Sequence, residues 1–384
     1  MNSRERVLAA AAHEPVDRAP VFLWLNSHAA MKMTSRLRWS RNPWITLFAM
    51  LADRIHTTKR DIPSDLRDGL PIVFQLHADY RYNLELGSDV ALVHPMHWTM
   101  FPYRIWKDDN RIQFRDFFGT VRGIRGLYIE MIRPAIETPY DLLTYRFPDC
   151  NNDAIWAPIR KYRARHPDVA IVSETWGVQD ITATGLWKMD DFMMALYEHP
   201  EKVKVFFDKL EAFSINMIRK GVQAGSDIVM IYDDYGTQHG PQISVDMWRE
   251  FTYPHLKKLI EVIHDHGAKA MLHSCGNQMS YLPHYVEAEL DILQSFQLSA
   301  GNDFIGAKKK FGRDLCFATG IDVQTLERMS PEEVRQSILE NYRIGRDGGG
   351  FILATTHMLQ PTMPLKNMRA VVSTLEDLRR GEIQ

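Results

Sequence analysis

The chain has 384 residues, 45% of them hydrophobic, and 46 Lys and Arg residues nearly balance 48 Asp and Glu residues, giving a formal charge of −2. This composition is typical of a globular protein and excludes a disordered tail or a basic protein that coats nucleic acid. The three cysteines, Cys150, Cys275 and Cys316, are too few and too irregularly spaced for a disulfide framework. No apolar run is long enough to span a membrane, and the chain starts with an Ala-rich helical segment that contains Glu and Arg, so a cytoplasmic location is expected.

Short apolar runs alternate with longer helical patterns along the chain, as in successive βα units. After an N-terminal helix within residues 1–19, the predicted strands cover residues 20–26, 72–78, 170–176, 228–234, 270–275, 292–297, 316–321 and 351–356. Most are continuously apolar, which favours parallel strands that are covered on both faces. Helical patterns between them include residues 200–224 and 244–266, and Gly267 stops the second. Eight strands with intervening helices predict one α/β domain over residues 1–384, a TIM-like (β/α)8 barrel.

Two stretches depart from this simple repeat. Residues 35–61 follow the first strand and carry Arg36, Arg38 and Arg41, and we expect a solvated helix face there. Residues 94–134 are rich in aromatic and β-branched residues, which predicts hairpin strands inserted after the second βα unit.

Polar residues at the ends of the predicted strands are the first candidates for a functional site, because active sites of this barrel lie at the carboxyl ends of its strands. These residues are Asn26, His77, Glu174, Asp233, Asp234, His273, Cys275, Gln297, Asp322 and His357. Each alone is also a common helix cap or loop residue. Together, the fifth and eighth strands would bring two histidines and one cysteine toward one pocket.

The spacing of His273 and Cys275 suits a metal ion. Residues i and i+2 of an extended strand face the same side, roughly 6–7 Å apart at Cα, so both side chains can reach one ion. Imidazole and thiolate together suit zinc, and catalytic zinc sites use three protein ligands with one position left open. A His-x-Cys pair by itself is a weak signal, since Gly276 and Asn277 also form turns and a buried cysteine is often only a small hydrophobe.

Four stretches, in their order along the chain, carry a resemblance to a known family. They are RERVLAAAAHEPVDRAPV (4–21), IYDDYGTQHGPQISVDMWREFTYPHLKKLI (231–260), LHSCGNQMSYLPHYVEAELDILQSFQ (272–297) and GGGFILATTHMLQPTMPLKNMRAVV (348–372). They resemble the uroporphyrinogen decarboxylase superfamily, whose fold is a (β/α)8 barrel. The His-x-Cys-Gly-Asn motif resembles its cobalamin-dependent methyltransferase branch, which moves methyl groups between a corrinoid and a small donor or acceptor. The resemblance implies a zinc ion bound by His273, by Cys275 and by a third ligand in the last strand.

The third ligand departs from the pattern of that branch. Its coenzyme M methyltransferases have a cysteine after the last strand, where this chain has His357. Because imidazole and thiolate both bind zinc, His357 is the predicted third ligand. A single thiolate weakens the case for coenzyme M as acceptor and leaves open which thiol, ether or amine takes the fourth position. Cys316 begins its strand and is expected at the opposite end of the barrel.

The resemblance therefore predicts a zinc-dependent methyltransferase with Zn²⁺ and cobalamin or another corrinoid as cofactors. Glu174 and Asp234 are the predicted catalytic residues, as a further metal ligand, a proton acceptor or supports for the histidines. The predicted substrate-binding residues are Asn26, Tyr232, Asp233 and Gln297. The expected partners are a small methyl donor or acceptor and a corrinoid protein, a homodimer is a further candidate assembly, and neither nucleic acid nor membrane is expected.

Three alternatives stay open. A metal-independent decarboxylase of a porphyrinogen-like or other carboxylated substrate would resemble relatives with an Arg-rich loop directly after the first strand, where residues 25–30 (LNSHAA) have no arginine. A non-catalytic corrinoid or tetrapyrrole-binding protein predicts tight pigment binding that does not need zinc. A zinc ion that only stabilises the barrel predicts a closed shell of four ligands and unfolding on chelation.

Overall fold

The computed structural model describes residues 1–37, 43–57, 84–94, 104–108, 111–125 and 128–382. Its central sheet consists of β1 (Val21–Phe22), β2 (Val90–Leu92), β7 (Ala170–Trp176), β8 (Ile228–Tyr232), β9 (Lys269–His273), β10 (Ile292–Gln294), β11 (Cys316–Ile321) and β12 (Phe351–Thr355). The spatial order is β1-β12-β11-β10-β9-β8-β7-β2, and the paired strands are parallel. The amide N–H of Asp89 donates to the carbonyl of Val21 at 2.7 Å, which joins the two edges. The predicted barrel fold is confirmed.

Seven of the eight predicted strands coincide with strands of this sheet. The predicted strand at 72–78, with His77, lies outside the described residues. The place beside β7 is taken by β2, a run of only three residues that the apolar pattern did not reveal. A strand this short has no periodicity of its own, so only its pairing with Ala170, Ile171 and Val172 identifies it.

The apolar strands have two buried faces, as expected of parallel strands. On β7 and β8, Val172 and Met230 face the barrel interior, where they join Val7 of the first helix, whereas Ile171 and Val229 belong to the layer between sheet and helices. The first helix, α1 (Ser3–Ala11), therefore closes the amino-terminal end of the barrel. The carboxyl ends of the strands are left for a site.

Helices cover the outside of the sheet. They are α2 (Ser27–Leu37), α3 (Pro43–Thr57), α4 (Asp141–Thr144), α5 (Asp153–Arg165), α6 (Met189–Glu198), α7 (Pro200–Gln223), α8 (Val245–Phe251), α9 (Tyr253–Asp265), α10 (Leu282–Glu287), α11 (Phe304–Phe311), α12 (Val323–Leu326), α13 (Pro331–Arg346) and α14 (Leu365–Arg380), with a π-helix at Ile181–Leu186 and a 3₁₀ turn at Leu298–Ala300. Within the described ranges, no helix combines the length and apolar character needed to cross a membrane.

The helical pattern over residues 244–266 forms two helices instead of one. Ser244 caps α8 by accepting the N–H of Met247, and the break comes at Thr252, just before Pro254 in the first turn of α9. Proline has no N–H to donate to the preceding turn, so a helix boundary there is expected. Gly267 follows α9 with φ +78°, in agreement with its predicted role as a helix stop.

The region of the predicted hairpins contains an antiparallel sheet of four strands, β3 (Arg104–Asp108), β4 (Arg111–Arg115), β5 (Val121–Arg125) and β6 (Tyr128–Arg133). Thr120 donates its hydroxyl to the carbonyl of Gly185 at 2.8 Å, which ties this sheet to the segment after β7. In the Arg-rich stretch, Arg36 is half exposed and forms an ion pair with Asp53 at 2.6 Å. Arg38 and Arg41 lie outside the described residues.

Candidate metal centre

Three predicted metal ligands lie together at the carboxyl end of the barrel. One ligand atom each from His273, Cys275 and His357 lies within 4.8 Å of the other two. The distance from His273 Nε2 to Cys275 Sγ is 3.5 Å. His273 ends β9, Cys275 follows two residues later, and His357 follows β12, so the closure of the barrel brings the two strand ends together.

The turn after β9 explains why a glycine follows Cys275. Gly276 has φ +79°, and a Cβ there would lie 2.5 Å from the carbonyl carbon and oxygen of Gly236. Asn277 donates its N–H to the carbonyl of Thr237 at 2.8 Å, and its side-chain amide donates to the carbonyl of Ala300 at 2.9 Å. The Cys-Gly-Asn motif thus packs its backbone directly against the segment after β8, which determines where the Cys275 thiol lies.

Residues at the end of β10 hold the ligands from both sides. Gln294 accepts the Nδ1–H of His273 and donates its amide to the carbonyl of Thr355 at 3.0 Å, so Nε2 of His273 is the nitrogen that faces Cys275. Ser295 Oγ lies 3.2 Å from Cys275 Sγ and donates to the carbonyl of Thr356 at 2.5 Å. Ser295 has φ +77°, a conformation that is unusual for a residue other than glycine. Such outer contacts orient ligands in metal sites.

The protonation state of His357 suits metal binding, whereas Cys275 would have to lose its proton to a metal ion. Burial, and next the Asp234 carboxylate, raises the pKa of the Cys275 thiol well above its ordinary value. Burial, and next the neighbouring His273, lowers the pKa of His357 to about 4, so this imidazole is neutral at pH 7. One thiol that a metal ion can deprotonate and two imidazoles form a donor set that fits zinc. The role of these residues as ligands stays a prediction.

Aromatic rings surround the two histidines. The ring of Trp24 stands edge-on to His273 with centroids 5.1 Å apart and stacks on His357 at 5.4 Å. The ring of Tyr232 lies 5.2 Å from that of His273, which places this predicted substrate contact beside the candidate ligands. Trp24 was not predicted, although it lies in the predicted first strand two residues before the polar residue Asn26. These rings limit the movement of both imidazoles.

Asp234 and Asp233 point to different parts of the molecule. Asp234 Oδ1 accepts the N–H of Cys275 at 2.7 Å and lies 4.0 Å from His273 Nε2. The Asp233 carboxylate is buried and accepts the hydroxyl of Tyr235 and the N–H groups of residues 178–180. Burial raises the pKa of Asp233 to about 7. The described contacts of Asp233 hold the loop after β7, and its predicted contact with substrate stays a prediction.

A further acidic residue near the centre was not predicted from the sequence. Burial and the neighbouring carboxylates of Asp234 and Asp233 raise the pKa of Asp180 well above its ordinary value. Asp180 lies beyond the end of the predicted strand, directly before the π-helix, and its N–H donates to Asp233 Oδ1 at 2.6 Å.

The three remaining predicted site residues lie in different environments. Glu174 is buried on β7 and contacts His94 Nδ1, a histidine that was not predicted as a site residue. Asn26 Oδ1 accepts the N–H of His28 at 2.9 Å, which is a helix-capping contact at the start of α2. Gln297 Oε1 accepts the N–H of Gly276 at 2.9 Å, and its amide nitrogen lies 3.7 Å from Cys275 Sγ. Gln297 therefore reaches the candidate centre.

Comparison with known proteins agrees with this architecture. The family model for uroporphyrinogen decarboxylase (URO-D) matches residues 181–378. Uroporphyrinogen decarboxylase from Coxiella burnetii is 20% identical over 383 residues, covering 97% of this chain and 94% of that protein. The enzyme of that name from Pseudomonas syringae pv. syringae is 21% identical over 300 residues, covering 73% and 82%.

Among solved structures, a methyltransferase from Methanosarcina mazei is similar to this chain with a TM-score of 0.65 at 19% identity, covering 99% of each chain. At this identity the similarity shows a common fold. The family model covers more than half of the chain, including the strand ends that carry His273, Cys275 and His357. The chain therefore belongs to the uroporphyrinogen decarboxylase family of enzymes, the superfamily that its motifs predicted.

Proposed function

We propose that this protein is a zinc-dependent methyltransferase that moves a methyl group between a small O-, N- or S-methyl compound, or a thiol acceptor, and a corrinoid. The observation that carries the proposal is the convergence of His273, Cys275 and His357 at the carboxyl end of the barrel. Three protein donors leave one position for substrate, as in catalytic zinc sites. The similarity in fold to a protein named as a methyltransferase supports the same reaction class.

The residues around the donors have distinct tasks in this proposal. Bound zinc would act as a Lewis acid that lowers the pKa of a substrate thiol or polarises the heteroatom of a methyl donor. Gln294 and Trp24 keep the imidazole of His273 oriented, and Ser295 keeps the Cys275 thiol in place. Asp234 lies beside the donors without being one of the three, so its carboxylate is the proposed acceptor of the substrate proton.

The corrinoid enters the proposal as the methyl carrier, bound to a partner protein or free in solution. A bound corrinoid would supply the cobalt that acts as nucleophile or leaving group in the displacement at carbon, and the barrel would provide orientation and charge. The carboxyl end of the barrel is where both reactants must meet, because the candidate donors lie there. Tyr232 and Gln297 lie beside the donors and are the proposed substrate contacts.

Metal-independent decarboxylation is the second candidate, and the names of the curated relatives favour it. In this chain, the segment directly after β1 leads into α2 without an arginine, and Arg36 is engaged with Asp53. In metal-independent decarboxylation, the Cys275 thiol and the neighbouring imidazoles would also have no role. The two candidates differ in whether activity needs the metal.

The test begins with elemental analysis of protein purified without added zinc or chelator. We expect about one zinc per chain in the wild type, and its loss in His273→Ala, Cys275→Ser and His357→Ala with an unchanged circular dichroism spectrum. Cys150→Ser is the matched control, because this buried thiol is far from the three donors in the chain and contacts Asn216 instead. It should keep its zinc.

Methyl transfer is then followed by the absorbance change between methylcobalamin and cob(I)alamin with thiols, ethers and amines as partners. Transfer that disappears in Cys275→Ser while the fold survives supports the proposal. A metal-free wild type would contradict the methyltransferase proposal and favour decarboxylation. Zinc that is present, with unfolding on chelation and no transfer, would instead indicate a purely structural ion.

A further inference from the structure

The amino-terminal end of the barrel, opposite the candidate metal centre, contains a cavity of about 600 Å³. Five arginines line it, and we call it the arginine cavity: Arg6, Arg18, Arg346, Arg379 and Arg380. They come from α1, from the segment before β1, and from the last turns of α13 and α14. Residues far apart in the chain thus direct their guanidinium groups to one place.

Two of these arginines are paired with carboxylates and form a fixed wall. Arg6 binds Asp17 at 2.6 Å and Asp89 at 2.9 Å, and Arg18 binds Asp89 at 2.7 Å. Asp89 is buried, and it also accepts the N–H of Val21 at the start of β1. The hydrogen bond from Arg6 holds the pKa of Asp17 well below its ordinary range, so the carboxylate of Asp17 stays ionised at neutral pH.

The other three arginines leave an excess of positive charge. Within the described part of the chain, Arg346 and Arg379 have no carboxylate within ion-pair distance, and Arg380 contacts only the exposed Glu382 at 3.8 Å. Arg346 lies over the ring of Tyr342 at 5.7 Å.

Arg379 is also held in place. It lies against Gly87, where a Cβ would come within 2.8 Å of its Nη1, so the missing side chain of Gly87 makes room for this guanidinium. The positions of Arg346 and Arg379 are therefore supported by contacts, although neither has a counter-ion among the described residues.

A simpler explanation accounts for part of this arrangement. Basic residues in the last turn of a helix stabilise its carboxyl end through the helix dipole. The dipole fully explains Arg343, which is exposed in the last turn of α13 and does not line the cavity. The dipole does not explain why Arg346 and Arg379 converge with the buried Arg6 and the partly buried Arg18 on one concave surface.

We propose that the arginine cavity binds a small polyanion, a molecule with two or more phosphate or carboxylate groups. The planar guanidinium group donates paired hydrogen bonds that match the oxygens of both groups. The volume lies within the range of small-molecule sites, about 300–1,000 Å³. The site is separate from the candidate metal centre and does not depend on the methyltransferase proposal.

The experiment is isothermal titration calorimetry of the full chain at low ionic strength, with inorganic pyrophosphate and citrate as probes. We expect binding in the wild type and a loss of about tenfold or more in affinity in Arg346→Gln and in Arg379→Gln, since each removes a charge-assisted donor. Arg343→Gln removes the same charge from the same helix turn outside the cavity, and it should stay within about twofold of the wild type. Circular dichroism checks the fold of each variant.

Binding of pyrophosphate alone would assign the site to phosphate groups, and binding of both probes would assign it to polyanions in general. Two results would overturn the proposal. One is the absence of binding by either probe to the wild type. The other is an equal loss of affinity in Arg343→Gln, which would show that only the overall charge of this end of the barrel matters.

Discussion

Replacing Gln294 tests the candidate metal centre while all three candidate ligands stay unchanged. Gln294→Leu leaves two buried groups without a partner, the Nδ1–H of His273 and the carbonyl of Thr355. Each such loss costs about 1–3 kcal/mol, so the free energy of unfolding should fall by about 2–6 kcal/mol. Losing the partner of a ligating histidine typically weakens metal binding about 10–100-fold, which corresponds to about 1.4–2.8 kcal/mol.

The matched variant is Gln294→Glu. Its carboxylate still accepts the Nδ1–H of His273 and increases the basicity of the ring, so zinc affinity should equal or exceed that of the wild type. It cannot donate to the carbonyl of Thr355, so the free energy of unfolding should fall by about the 1–3 kcal/mol of one lost partner, less than in the leucine variant. Urea unfolding of the metal-free proteins and zinc competition with a chromophoric chelator measure the two quantities separately. Gln294→Leu that binds zinc as tightly as the wild type would refute the reasoning and assign Gln294 to the fold alone.

Three further expectations concern proton release, backbone strain and pH. Zinc binding at pH 7 should release about one proton, because burial and Asp234 keep the Cys275 thiol protonated without metal, and zinc affinity should rise with pH. Calorimetry in buffers of different ionisation enthalpy counts the protons, and a count of zero would contradict the assignment. Gly276→Ala should abolish zinc binding, as measured by metal analysis. The left-handed conformation at φ +79° adds strain of about 1–2 kcal/mol to the clash of the new Cβ with the backbone of Gly236. Zinc retained by this variant would show that the turn can rearrange to accept a side chain. The hydrogen bond to Asp291 raises the pKa of His264, so its stabilising contribution is present below the unfolded pKa and is lost as pH rises through the folded pKa. His264→Gln should therefore destabilise the protein more near about pH 5.5 than near about pH 9 in urea unfolding. Equal destabilisation at the two pH values would contradict this expectation.

Two of the residues that the sequence analysis missed share a physical property. Gln294 and Ser295 interrupt an apolar strand, and polar residues in a buried strand are a usable signal because they need partners. The identity of those partners is not readable, since His273 and Thr356 lie 21 and 61 residues away along the chain. His94 and Trp24 gave no local signal that would separate them from core or loop residues.

The sequence by itself determined the barrel, seven of its strands, the superfamily and the residues His273, Cys275 and His357 as candidate ligands. Those features are local, because apolar runs and short motifs express the requirements of one strand and the turn that follows it. Only the tertiary structure decided that β2 fills the place beside β7, that Asp233 serves a loop while Asp234 faces the candidate ligands, and that arginines from three regions meet at the amino-terminal end. These depend on which strands pair and which side chains pack together across the chain, and such long-range contacts have no signature in the order of neighbouring residues.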